Sequence, residues 1–215
     1  MRVLAVAGRK GGSGKTTLSG HLAVQAERCK DGPVAMLDYD PQRGLSAWWD
    51  QRKAEIPVLV RTPALKDLPK GIETCRAQGF NLLVIDTPPV VTEVIEAVMA
   101  QADLIMIPVR PSPHDLRAVG ATIDLADGSG KPIVFVISQA IARTRVSQDA
   151  AVALSQHGTV APSIIHSRID YATSMADGRT VQEAFPESKS TDEIRELWKY
   201  LLAQMNRKAK VKAHG

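Results

Sequence analysis

The chain has 215 residues, 44% apolar but only 4% aromatic, with a formal charge of +4 and a pI near 9.1. That length suits one α/β domain that buries its core without staples, and Cys29 and Cys75 form no close-spaced pair, so they read as reduced thiols. No apolar stretch approaches the roughly 18 residues that span a bilayer, and the N-terminus lacks a signal-peptide pattern, so a soluble cytoplasmic protein is expected.

The first predicted strand is Val3–Ala7. It runs into Gly8-Arg9-Lys10-Gly11-Gly12-Ser13-Gly14-Lys15-Thr16-Thr17, which opens a helix. Glycines let such a loop fold tightly and turn several N–H groups toward one anion, and the helix N-terminus adds partial positive charge. Strand, glycine-rich loop and Lys-Thr at the helix start form a phosphate loop for ATP and magnesium. Gly11, Gly12, Ser13 and Gly14 form the cradle, Lys15 contacts the β- and γ-phosphates, Thr16 binds magnesium and Thr17 supports the phosphates. The helix runs from Lys15 toward Arg28, with Leu18, Leu22 and Ala26 on one face.

Val34–Leu37 is the next strand and leads into Asp38-Tyr39-Asp40-Pro41-Gln42. Ligands of open α/β sheets sit past the C-terminal ends of strands. Alternate residues of an extended chain point opposite ways, so Asp38 and Asp40 should have different tasks. Trp48 and Trp49 read as part of a packed helix. After a short run at Val58–Val60, Leu82–Ile85 leads into Asp86-Thr87-Pro88-Pro89. An apolar strand ending in Asp is the Walker B arrangement, in which Asp86 holds magnesium through water.

Leu104–Val109, Ile133–Ile137 and Ser163–Ile165 complete the predicted strands. Short β-rich runs separated by helix-length segments argue for βαβ units. The expected fold is a single three-layer α/β domain of the P-loop NTPase type, a mainly parallel twisted sheet with helices on both faces. A last helix is predicted from Ser190, with Ser190 and Glu193 at capping-box spacing and Ile194, Leu197, Trp198, Leu201 and Leu202 as a core-docking stripe. The ATPase domain is expected to occupy 1–206. Residues 207–215 read as a basic, disordered tail in which Arg207, Lys208, Lys210 and Lys212 meet no nearby acid. Such a tail suits DNA or another polyanion, and equally a solvated end.

The loop departs from the standard phosphate-loop pattern, with Arg9 at the usual first glycine and Lys10 before two glycines. It resembles the deviant Walker A motif of the ParA/MinD superfamily. Together with Asp38-Tyr39-Asp40-Pro41-Gln42, Asp86-Thr87-Pro88-Pro89, Pro108–Ser112 and the stretch from Arg168 through Val181, the resemblance covers nearly the whole chain. The resemblance is to ParA-type partition ATPases of the short form, without an N-terminal helix-turn-helix. It implies an ATP-dependent homodimer in which Lys10 crosses to the partner's nucleotide, Asp40 orients the attacking water and Asp38 lies near the magnesium shell. It also implies non-specific DNA binding, a ParB-like activating partner and a place on the nucleoid. Arg143, Arg145, Arg168, Arg179 and the C-terminal lysines are the candidate DNA contacts. The sequence carries neither the amphipathic tail of MinD-like proteins, nor the cluster cysteines of nitrogenase iron protein, nor the tyrosine cluster of bacterial tyrosine kinases. Where members often have Asn after the sixth strand, this chain has Ser138-Gln139, so no base contact is assigned there.

The implied function is DNA segregation driven by ATP hydrolysis. The alternatives are an ATPase that positions a protein cargo along the nucleoid, or a small-molecule kinase or ligase of the same superfamily.

Overall fold

A computed structural model describes the backbone of residues 1–212 and the side chains of residues 1–207. Seven strands, β1 Arg2–Val6, β2 Val34–Asp38, β3 Val58–Leu59, β4 Leu82–Asp86, β5 Leu104–Val109, β6 Ile133–Ile137 and β7 Thr159–Val160, form one sheet in the order β3-β2-β4-β1-β5-β6-β7. Every recorded pairing is parallel. All strand C-termini therefore lie along one edge.

The sheet is buried on both faces, which is why its strands read as continuous apolar runs. Leu4 and Val6 of β1 face a cluster containing Leu22 of α1 (Lys15–Arg28) and Leu197, Trp198 and Leu201 of α9 (Lys189–Lys212). Val3 and Ala5 face the opposite cluster, with Ile72 of α3 (Leu68–Ala77), Val98 of α4 (Thr92–Gln101), Ile123 of α5 (Pro113–Ser129) and Leu154 of α6 (Val146–Ser155). The expected three-layer fold is thus the observed one. Short helices α2 (Gly44–Asp50), α7 (Ile169–Met175) and α8 (Val181–Ala184) complete the α1 side.

Three local expectations are corrected. Ser163–Ile165 is not a strand: regular pairing ends at Thr159–Val160 and the Ala161 N–H bond to the Phe135 carbonyl at 2.8 Å, and Pro162, whose ring fixes φ, follows where the chain leaves the ladder. Ile165 still makes two backbone bonds there: its N–H donates to the Ile137 carbonyl at 2.9 Å, and its carbonyl accepts the Ala140 N–H at 3.0 Å. The capping box lies at Thr180 and Glu183, heading α8. Ser190, already inside α9, donates instead to Asp170 Oδ2 at 2.6 Å. The carboxylate of Glu193 takes bonds from His166, Arg168 and Tyr171. Finally, α9 continues beyond Asn206 into the segment expected as a tail. The tail side chains after Arg207, including Lys208, Lys210 and Lys212, lie outside the described residues.

Trp48 is 4% exposed in α2, as a packed helix requires, and its indole N–H donates to the Arg179 carbonyl at 3.0 Å. His21 of α1 is fully buried and joins α1 to α8. Its Nδ1 lies 2.7 Å from the Thr17 carbonyl, and its Nε2 accepts the Val181 N–H at 3.2 Å. Both contacts need a neutral ring that donates from Nδ1. Desolvation lowers its pKa from 6.5 to about 4.

The depressed value makes His21 a source of stability above pH 6.5 that is lost as pH falls toward 4, because only the unfolded chain takes the proton there. The full effect is about 3 kcal/mol. Urea titrations across this window should show that His21→Gln removes this acid-dependent loss while lowering stability at neutral pH by about 1–3 kcal/mol, the cost of an unpaired buried N–H.

Candidate functional site

The parallel sheet brings the sequence-predicted residues to one edge. In the register, Val6 pairs with Asp86 and Asp86 pairs with Asp38, so the loops after β1, β4 and β2 emerge side by side. Between them lies a cavity of about 400 Å³ lined by Gly11, Gly12, Gly14, Lys15, Thr16, Thr17, Asp40 and Pro89, among others.

Gly12 and Gly14 have φ of +70° and +93°, left-handed conformations that a side chain would strain. They wrap the loop around the start of α1. The N–H groups of Ser13 and Gly14 have no acceptor among the described residues, although Ser13 is 2% exposed. Free N–H groups at a helix start are what an anion requires. Lys15 is 6% exposed and donates from Nζ to the Lys10 carbonyl at 3.1 Å. Burial lowers its pKa, opposed by the charges of Asp86 and Asp40.

Asp86 has no exposed surface. Its Oδ2 accepts from Thr16 Oγ1 at 2.7 Å, and its Oδ1 from Ser19 Oγ at 3.3 Å. Desolvation raises its pKa from 3.8 to about 7. The two hydroxyls and Lys15 oppose that rise, and Asp38 adds to it. Hydroxyl, lysine and carboxylate thus converge beneath the glycine loop. Among the described residues no group of three or more His, Cys, Asp or Glu could hold a metal alone. That donor set suits magnesium, which is held by one or two carboxylates plus substrate phosphates rather than a protein cage.

Asp38 and Asp40 do differ. The Asp38 carboxylate is committed to protein, with Oδ2 accepting the Ser46 N–H and hydroxyl, each at 2.8 Å, and Oδ1 accepting the Asp40 N–H at 3.1 Å. It holds the start of α2 and sets the loop that carries Asp40. Asp40 lines the cavity, and among the described residues its carboxylate accepts only the Gln42 N–H, at 3.0 Å. Lys10 is exposed and does not line this cavity. It borders a neighbouring groove of about 520 Å³ with Arg110, His114, Ile141 and Val146.

Sequence reasoning missed several members. Ser19 follows Thr16 by one helical turn, and that spacing was its only signal. Thr122 of α5 accepts the Arg9 N–H at 3.1 Å, across 113 residues of sequence. Ser138 and Gln139 touch the loop directly. An adjoining slot of about 210 Å³ runs from Gly14, Thr17 and Leu18 to Ile165, Tyr171 and Met175. Two of the four arginines proposed for DNA are engaged within the chain, Arg168 with Glu193 and Arg179 with Asp177. Arg143 and Arg145 are exposed.

Comparison with known proteins gives a consistent picture. The CobQ/CobB/MinD/ParA nucleotide binding domain matches residues 4–196. The chain is 29% identical over 204 residues to the maintenance of carboxysome distribution protein A of Halothiobacillus neapolitanus, covering 90% of this chain and 93% of that one. It is 28% identical over 174 residues to the protein ParA of Rhizobium radiobacter, covering 79% of this chain and 75% of the relative. The solved MinD cell division protein of Aquifex aeolicus shares the fold, with a TM-score of 0.79 at 16% identity, over 94% of this chain and 97% of its own.

The raised pKa of Asp86 has a sign opposite to that of His21. Its contribution is fully present below pH 3.8 and is lost as pH rises through about 7. In metal-free buffer at pH 8, Asp86→Asn should therefore stabilise the chain by on the order of 3 kcal/mol. Thermal melts with and without magnesium and ATP should show the ligand-induced stabilisation lost in this variant.

Proposed function

The chain belongs to the CobQ/CobB/MinD/ParA nucleotide-binding family, and from that premise we propose that it is a dimer-forming ATPase that positions a protein assembly within the cell. The observation that carries the nucleotide reading is the cradle itself: free N–H groups at Ser13 and Gly14 beside a buried Lys15. Positioning is favoured over DNA partition by the nearly full-length likeness to a protein named for carboxysome distribution.

In this reading ATP lies along the glycine loop, its phosphates in the larger cavity and its base in the slot beside Leu18, Ile165 and Tyr171. Thr16 and Asp86 would hold a magnesium ion, whose charge would offset that of the bound phosphates. Lys15 keeps its ammonium on the phosphates by exchanging the Lys10 carbonyl for them. Asp40 orients the attacking water, while Asp38 fixes the backbone from which Asp40 projects. Asp38 thus acts through Asp40 and α2 rather than as a direct metal ligand.

Lys10 points outside its own cavity, so its task is assigned to a second copy of the chain. The exposed apolar side chains Val90, Val91, Ile141 and Val146 follow the C-terminal ends of β4 and β6 and supply area for that contact. Placed near the partner's phosphates, Lys10 stabilises the charge that develops during hydrolysis. Arg143 and Arg145 are the remaining candidates for non-specific contact with nucleoid DNA, and a ParB-like partner accelerates turnover and releases the dimer.

Light scattering should show an ATP-dependent shift from monomer to dimer, and Lys10→Ala should abolish the shift while keeping ATP binding. An unchanged dimer in that variant would reject the role of Lys10. Asp40→Ala should dimerise yet lose about a hundredfold or more in turnover, as expected for a water-orienting base. In a deletion strain, mispositioned protein assemblies with normal DNA inheritance support positioning; DNA loss with normal assemblies supports partition. Turnover that depends on a small metabolite would instead support the kinase or ligase alternative.

A further inference from the structure

The C-terminal end of β6 touches the phosphate loop at two consecutive peptides. Ser138 Oγ donates to the Ser13 carbonyl at 2.8 Å, and Gln139 Nε2 donates to the Gly12 carbonyl at 2.7 Å. These bonds link segments more than 120 residues apart in sequence.

In a trans peptide, the C=O of one residue and the N–H of the next point in opposite directions. Holding the Gly12 oxygen toward Gln139 turns the Ser13 N–H away from that side chain. Holding the Ser13 oxygen toward Ser138 does the same for the Gly14 N–H. Neither N–H group has a hydrogen-bond acceptor among the described residues, and the same holds for those of Lys15, Thr16 and Thr17 at the start of α1. A loop with two glycines at positive φ has many other conformations open to it. Two side-chain anchors on adjacent carbonyls remove those in which the N–H groups turn elsewhere.

The anchors are themselves held in place. Ser138 is 1% exposed, and its N–H is bonded to the Val109 carbonyl at 2.9 Å. Gln139 has φ of +52°, a conformation uncommon for a residue with a side chain. Its amide also lies 3.6 Å from where a Cβ on Gly14 would stand. A non-glycine residue kept in the left-handed region at a site edge indicates a placed side chain.

We infer that Ser138 and Gln139 are positioning residues that aim the N–H groups of Ser13 and Gly14 at the phosphates of a bound nucleotide. The inference rests on the nucleotide reading above. It assigns a task to the two residues that stand where the resemblance leads one to look for Asn. The effect is one of preorganisation, since the cradle is set before the ligand arrives.

The test is calorimetric titration of ATP and ADP with magnesium into the wild type, Gln139→Ala, Gln139→Met and Ser138→Ala, with melting temperatures recorded without nucleotide. Gln139→Met keeps the length of the side chain and removes its amide, the donor included. Each variant should weaken ATP and ADP alike by about tenfold, the size of one lost hydrogen bond. Because these N–H groups serve the ground state and the transition state equally, the loss should appear in KM rather than kcat. Gln139 is exposed, so its variants should melt at the wild-type temperature without nucleotide. Wild-type affinity in both Gln139 variants and in Ser138→Ala overturns the inference while leaving the nucleotide reading intact. A wild type that binds neither nucleotide overturns both.

Discussion

A carboxylate with no exposed surface sits at the end of β4, and much of the site answers to its charge. Burying an unpaired ion is costly enough that the group takes up a proton instead, and Asp86 lies at about 7 for that reason. Thr16 and Ser19 donate to its two oxygens from one face of α1, and Lys15 adds a nearby positive charge. These partners reduce the penalty without removing it. A binding site for a cation is thereby coupled to the folded state. In the proposed reading, magnesium with nucleotide would supply the compensation that Asp86 lacks in the protein alone.

The glycine loop presents the opposite problem, too much freedom rather than too much charge. Its conformation is fixed from outside by elements distant in sequence. Thr122 of α5 takes the Arg9 N–H, the Met106 carbonyl of β5 takes the Ala7 N–H, and Ser138 and Gln139 hold two loop carbonyls. Rigid surroundings around a flexible sequence allow N–H groups to be spent on a ligand instead of on the protein.

A second set of contacts leads away from the site. Asp38 holds both the Asp40 backbone and Ser46 of α2. Through Trp48, α2 reaches the Arg179 carbonyl, and Arg52 just beyond it binds both oxygens of Glu183. His21 completes the circuit from α1 to Val181. The loop that carries Asp40 is thus continuous, by hydrogen bonds, with the start of α8. Lys10 and Lys15 occupy the same loop yet face different cavities, and that separation underlies the assignment of one to its own nucleotide and the other to a partner's.

Local pattern made much of this legible. The strands are short apolar runs because the sheet is covered on both faces, and α1 begins at Lys15 because glycines end there. Lys15, Thr16, Asp40 and Asp86 could be singled out as candidates because each ends or follows a strand at the edge where a parallel sheet places its loops. The sequence misled where a local rule competed with tertiary contact. Ser190 and Glu193 have capping-box spacing, but Asp170, His166 and Arg168 claim their side chains. Arg168 and Arg179 read as free positive charge, yet each meets a carboxylate. Chain order and residue type thus determined the fold class and the chemistry along the sheet edge. Only the tertiary structure decided that Asp38 is a brace, that Ser138 and Gln139 hold the loop, and that Asp86 is buried enough to resist ionisation. Those facts depend on distances between segments tens to more than a hundred residues apart, and on the exclusion of water, which no local spacing encodes.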